Sequence, residues 1–167
     1  MSSIIALACA ALLQDAPLAT QMVNVEGRAM RVAVAGLDQR KPSQPVIVLE
    51  AGAGENGIEP WTPVFAALAR VAPVVAYDRR GVGKSEADTE KVTLRRTAHS
   101  LHALLQRLSI SPPYVLVGHS WGGLVTRAYF DQYASEVAGF VLLDTLNPGL
   151  LRSREERAKE SLPPTAR

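Results

Sequence analysis

The sequence predicts an α/β domain built on a mostly parallel sheet with helices on both faces. From Val46 onward, short apolar runs alternate with stretches of helical spacing in the order strand, helix, strand, helix, strand, helix, strand, the pattern of right-handed crossover units. The apolar runs are short and uninterrupted, as strands covered on both faces should be. No internal repeat or low-complexity linker divides the chain, so the pattern describes one domain.

Taken in order, Ile4 to Leu13 is an unbroken run of ten apolar residues followed by Gln14, Asp15, Ala16 and Pro17. Ten is too short to cross a bilayer and suits the apolar centre of a signal peptide, so residues 1–20 read as an export leader. No Lys or Arg precedes the run, and the competing reading is a buried N-terminal helix in a cytoplasmic protein. Met22–Val25 and Arg31–Ala35 flank Glu26-Gly27-Arg28 and form a hairpin. Val46–Leu49 is a buried strand. Trp61–Val71 is a helix with Val64, Leu68 and Val71 on its inner side, and Val74–Tyr77 is the next strand. Thr93–Leu108 is a helix capped by Thr93, with Leu94, Ala98, Leu101, Leu105 and Leu108 recurring every three or four residues. Tyr114–Val117 is a strand, Leu124–Tyr133 a helix, Phe140–Leu143 a strand, and Leu150–Glu160 a further charged helix.

Composition narrows the partners. The 167 residues are 47% hydrophobic and 20% charged, with 18 basic and 16 acidic residues spread along the chain. No basic stripe interleaved with aromatics offers a nucleic-acid surface. Cys9 is the only cysteine, so a disulfide framework and a cysteine metal cluster are both excluded.

Three glycine motifs compete for function. Gly52-Ala53-Gly54-Glu55-Asn56-Gly57 matches the dinucleotide fingerprint, with Asp78 placed as the ribose acid. Pro60 and Trp61 follow at once, so a helix there begins too late to aim its N-terminus at a pyrophosphate. Gly83-Lys84-Ser85 imitates the end of a phosphate loop, but the pattern needs glycine where Asp78 stands. The third, Gly118-His119-Ser120-Trp121-Gly122, extended by Gly123, has a strand leading in and a helix leading out. That is the strand–turn–helix setting of a nucleophile elbow, whose tight turn strains the backbone and exposes the serine hydroxyl above the sheet. Gly118 and Gly122 omit side chains that would collide as strand and helix close together.

With this elbow, with Asp78-Arg79-Arg80-Gly81-Val82-Gly83-Lys84-Ser85 and with Val141-Leu142-Leu143-Asp144, the chain from about Met22 to Pro148 resembles the α/β-hydrolase superfamily in its serine-nucleophile branch. The resemblance implies Ser120 as nucleophile and the backbone N–H groups of Trp121 and Ala53 as the oxyanion hole. The family's usual His-Gly before that donor is here Ala51-Gly52. Asp144 matches the position where some branches carry the triad acid, the commoner place being after a seventh strand. His119 is expected to pack beside the turn, His99 and His102 to serve the surface or packing, and Asp78 and Arg79 to tie their loop to the sheet edge.

The implied domains are a leader over 1–20, the N-terminal part of the hydrolase core over 21–148, and the start of a cap over 149–167. The sheet is expected to stop after about its sixth strand. Partners in this fold follow in the order Ser, acid, His, and the residues after Ser120 include no histidine. The expectation is therefore an inactive half-fold, prone to self-association through an open Phe140–Leu143 edge. The implied reaction is acyl transfer to water from a small ester, with amides second, needing no cofactor and no metal. Serine at the elbow sets the chain apart from the Asp-nucleophile haloalkane dehalogenases and epoxide hydrolases. A non-catalytic binding module and the dinucleotide reading remain the alternatives.

Overall fold

The computed structural model describes residues 18–54 and 56–146. The apolar run at Ile4–Leu13, Cys9, and the expected helix at Leu150–Glu160 lie outside the described residues. Six strands form one sheet: β1 (Gln21–Val25), β2 (Arg28–Ala35), β3 (Val46–Glu50), β4 (Val74–Tyr77), β5 (Tyr114–His119) and β6 (Val137–Leu143), in the spatial order β1-β2-β4-β3-β5-β6. β1 and β2 are antiparallel and β2 runs antiparallel to β4, while β4, β3, β5 and β6 are parallel. Helices α1 (Thr62–Ala69), α2 (Leu94–Arg107) and α3 (Gly122–Tyr133) supply the crossovers.

Strand alternation sorts the apolar residues between two cores. Val46 and Val48, Val75 and Tyr77, and Tyr114 and Leu116 face α2 and α3, together with Leu101, Leu104, Leu105 and Tyr129. Their neighbours Leu49, Val74, Ala76 and Val117 face the other way, onto Trp61 and Phe65. Both sheet faces are thus apolar, which is why these strands read as continuous runs. In α2, Thr93 Oγ1 accepts the N–H of Arg96 at 3.2 Å, the expected cap. That cap contributes about 1 kcal/mol, whereas each fully buried leucine adds roughly 1.5–3 kcal/mol; packing outweighs the cap.

Helix α1 differs from expectation. Val64 and Val71 are exposed, at 43% and 74%, and the inner side is Trp61 and Phe65 with Leu68 half-buried. The segment opens as a 3₁₀ turn over Glu59–Trp61, and the α-helix ends at Ala69. Val71 therefore lies beyond the helix, where helical spacing has no meaning. The two aromatics bury more area than the valines could.

A second correction concerns the Asp78 loop. It leaves β4, which is flanked by β2 and β3, so the loop is anchored inside the sheet and not at an edge. Among the described residues β1 and β6 are the two edge strands, and on β6 Phe140, Val141, Leu142 and Leu143 are all exposed. No helix among the described residues is long and apolar enough to cross a membrane.

The topology also selects a location. After β3 the chain crosses by α1 over one face to β4, and after β5 it crosses by α3 over the other face to β6. β3 and β5 are neighbours, so their carboxyl ends part around a crevice. Such a switch point is where open α/β sheets bind ligands.

Candidate active site

Two loops border that crevice: Ala51–Gly54 after β3 and Ser120–Trp121 after β5. Ser120 is half-exposed and has φ of +50°, the left-handed region that a side-chain-bearing residue rarely occupies. The strain costs on the order of 1–2 kcal/mol and is held by hydrogen bonds. The Ser120 N–H donates to Leu143 O at 3.0 Å, the Gly123 N–H to Ser120 O at 3.1 Å, and the Leu124 N–H to Trp121 O at 3.0 Å. Trp121 caps α3, so its N–H lies at the positive end of that helix.

The elbow glycines are steric necessities, though not all for the expected reason. A Cβ on Gly118 would meet Gly123 Cα at 2.8 Å, the strand–helix collision foreseen. On Gly122 it would instead meet Glu50 O and Ala51 O, at 2.3 and 2.5 Å, so this glycine lets α3 approach β3. On Gly123 it would strike the Thr145 side chain at 2.2 Å.

Ala53 is exposed on the facing loop, between Gly52 and Gly54. A Cβ on Gly52 would lie 3.3 Å from Ser120 Cβ and 3.0 Å from His119 Nδ1, so loop and elbow are in contact. A cavity of about 320 Å³ adjoins them, walled in part by Ala53, Gly54, Trp121, Tyr77, Arg79 and Ser100.

The loop rests on a buried cluster that sequence reasoning missed. Arg79 is 6% exposed and Glu50 1%. Arg79 Nη1 donates to Glu50 Oε1 and, at 2.6 Å, to Ala51 O; Nη2 donates to Gly52 O at 2.5 Å. Tyr77 donates its hydroxyl to the other Glu50 oxygen, and the Arg79 guanidinium lies 4.8 Å from the Trp121 ring centre. Burial pushes the Glu50 carboxyl above its ordinary range, against the opposing pull of the Arg79 charge. It pushes the Tyr77 hydroxyl well up as well, reinforced by the Glu50 charge beside it. The readable signal was Glu50 itself, a charge ending an apolar strand, which must find a partner.

Asp78 is fully buried. Its oxygens accept the N–H groups of Ile58 and Lys84, both at 2.9 Å, and Arg31 Nη1 at 3.4 Å. A Cβ on Gly57 or on Gly83, one glycine from each rejected motif, would meet this carboxylate at 2.4 and 2.3 Å. Buried from solvent, it is out of reach of a ribose. No helix starts at Lys84 either, the next beginning at Leu94.

His99 pairs with Glu26 at 3.1 Å and Tyr133 at 3.0 Å, while His102 pairs with Glu136 at 3.2 Å and stacks on Tyr133. Tyr133 ends α3, about 16 Å along the helix from its start beside Ser120. Both histidines hydrogen-bond to these partners, and neither bonds to Ser120. His119 is exposed and packs against Gly52. Asp144 follows Leu143 at the same sheet edge as Ser120, exposed, with φ of +43°. The structure thus brings together Ser120, Trp121, Ala53 and Asp144, and brings no histidine of α2 to them. Among the described residues no group of His, Cys, Asp and Glu could hold a metal ion.

Beside the cavity, Asp88 accepts from Arg96 Nη2 at 2.9 Å and Arg80 Nη1 at 3.3 Å. The Arg96 hydrogen bond, foremost, holds its carboxyl down at about 2 against an ordinary 3.8. A depressed carboxylate stabilises the fold above its unfolded value, and that stability is lost as pH falls toward the folded one. Asp88→Asn is therefore expected to lower Tm at pH 7, and the gap from wild type to narrow below about pH 4. Melting both proteins from pH 7 to 2 checks this, and a gap independent of pH would contradict it.

Compared with known proteins, residues 44–166 match the family described as alpha/beta hydrolase fold. The chain is 37% identical over 106 residues to the uncharacterized protein YqjL of Bacillus subtilis (strain 168), covering 63% of this chain and 42% of that protein. It is 36% identical over 101 residues to a proline iminopeptidase of Heyndrickxia coagulans, covering 59% and 34%. Among solved structures, the epoxide hydrolase CorEH superposes with a TM-score of 0.68 at 26% identity, covering 78% of this chain and 43% of that one. The chain therefore spans less than half the length of each of these three.

Proposed function

The chain belongs to the alpha/beta hydrolase fold family, and on that footing we propose that it is a hydrolase working through a Ser120 acyl-enzyme, on carboxylic esters first and amides second. The observation that carries the reading is the Ser120 backbone: a left-handed, non-glycine residue at a strand–helix turn on the carboxyl edge of the sheet. Strain of that kind persists where a side chain must be presented.

In this reading Ser120 Oγ attacks the substrate carbonyl carbon and its proton passes to a base. The oxygen that becomes negative takes hydrogen bonds from the N–H groups of Trp121 and Ala53. Such pre-aimed donors typically contribute about 3–4 kcal/mol each. Collapse expels the protonated alcohol or amine, and water repeats the attack to release the acid. The adjoining cavity accommodates the acyl group, and Asp144 is the candidate acid behind the base. The reaction so drawn needs no metal or organic cofactor. A peptidase among the relatives keeps amides in view. Likeness to an epoxide hydrolase does not carry that chemistry over, because the elbow residue here is serine.

The test is labelling of the full-length protein with a fluorophosphonate probe, the site mapped by peptide mass, alongside a panel of p-nitrophenyl esters and p-nitroanilides. Stoichiometric label on Ser120 and faster ester turnover are expected. Label on another residue, or none, would remove the reading.

A further inference from the structure

We propose that Arg79 is a positioning residue for the oxyanion loop: its buried guanidinium holds the Gly52–Ala53 peptide in the orientation that turns the Ala53 N–H toward the Ser120 side. The inference rests on the reading of Ser120 as nucleophile and deepens it. A trans peptide is planar, so its C=O and N–H point in opposite directions. Arg79 Nη2 holds the carbonyl of Gly52 at 2.5 Å, and the N–H on that same plane, at Ala53, must point away from Arg79.

Something has to hold that plane. The peptide joins Gly52 to Ala53, and a glycine on its amino side lowers the cost of a flip. No side chain at position 51 reaches across, because the residue is Ala51 where the family's usual residue is histidine. A flipped peptide would present a carbonyl oxygen to the developing oxyanion and repel it. Nη1 adds a second hold at Ala51 O, 2.6 Å away, so one guanidinium fixes two successive peptides.

The same group reaches the other half of the hole. It lies against the Trp121 ring, 4.8 Å from its centre, and Trp121 carries the second donor. Glu50, hydrogen-bonded by Tyr77, sets the guanidinium in place. Lysine could keep the charge but not the fork, since its donors sit on a single nitrogen at the end of a flexible stem.

The experiment compares Arg79→Lys with the double variant Glu50→Leu/Arg79→Met in the full-length protein. Replacing a buried ion pair by apolar residues of similar volume commonly preserves stability, so the double variant separates positioning from folding. With p-nitrophenyl acetate, both are expected to lose about 10²-fold or more in kcat, the scale of removing one oxyanion donor, with KM within threefold of wild type. The double variant should stay folded and melt cooperatively, lowered by a few degrees because the buried Tyr77 hydroxyl loses its acceptor. Full kcat in either variant, or a crystal structure of Arg79→Lys with the Gly52–Ala53 peptide unmoved, would overturn the proposal. Activity or fluorophosphonate labelling that survives Ser120→Ala would sink the nucleophile reading instead, whatever Arg79 does.

Discussion

In the full-length protein, Ser120→Ala is expected to lower kcat on an ester by at least about 10³-fold, toward the roughly 10⁶-fold loss known when subtilisin loses its nucleophile. Without Oγ the remaining route is direct attack by water, helped only by the oxyanion donors and by binding. The loss should be one of chemistry alone. Alanine keeps the Cβ that serine already holds at φ of +50°, so strain is unchanged and Tm should stay within a few degrees. Ser120→Gly sharpens the point: equally inactive, it should be no less stable, because glycine occupies that region without steric cost. Steady-state kinetics beside thermal melts separates the two quantities. Loss of less than tenfold in Ser120→Ala would show that another residue attacks the substrate.

Gly122→Ala is expected to damage the fold itself. The added Cβ would sit 2.3 Å from Glu50 O and 2.5 Å from Ala51 O. Both are main-chain atoms at the end of β3, a strand paired on either side by β4 and β5. Neither can yield, so α3 must shift and open the core that Tyr129 fills. Overpacking at such a site costs about 3 kcal/mol, which for a domain of this size lowers Tm by roughly 6–12 °C. Gly139→Ala is the control, since nothing lies within 4 Å of its added Cβ, and it should change stability by under about 0.5 kcal/mol. Equal melting of Gly122→Ala and wild type would mean that α3 does not approach β3 as closely as described.

Much of this could be read in advance. The strands are legible because β2 to β5 are covered on both faces, so their apolar runs stand out whichever face each residue takes. Helix α2 shows its inner face at the right spacing over four turns, and the elbow declares itself through glycines at fixed offsets. The face of α1 did not follow, because periodicity is informative only inside a helix. A 3₁₀ entry at Glu59–Trp61 and an exit at Ala69 leave too few turns to average over.

By itself, then, the sequence determined the fold class, the six strands, the capped helix and the serine at the elbow, all consequences of patterns a few residues long. Only the tertiary structure decided what Arg79 and Asp78 do. Arg79 meets Glu50 across 29 positions of chain and Asp78 meets Ile58 across 20. Which charge answers which is settled by strand order, here β4-β3-β5, because a buried ion must be paired wherever the topology brings a partner. Local pattern carries no record of that order.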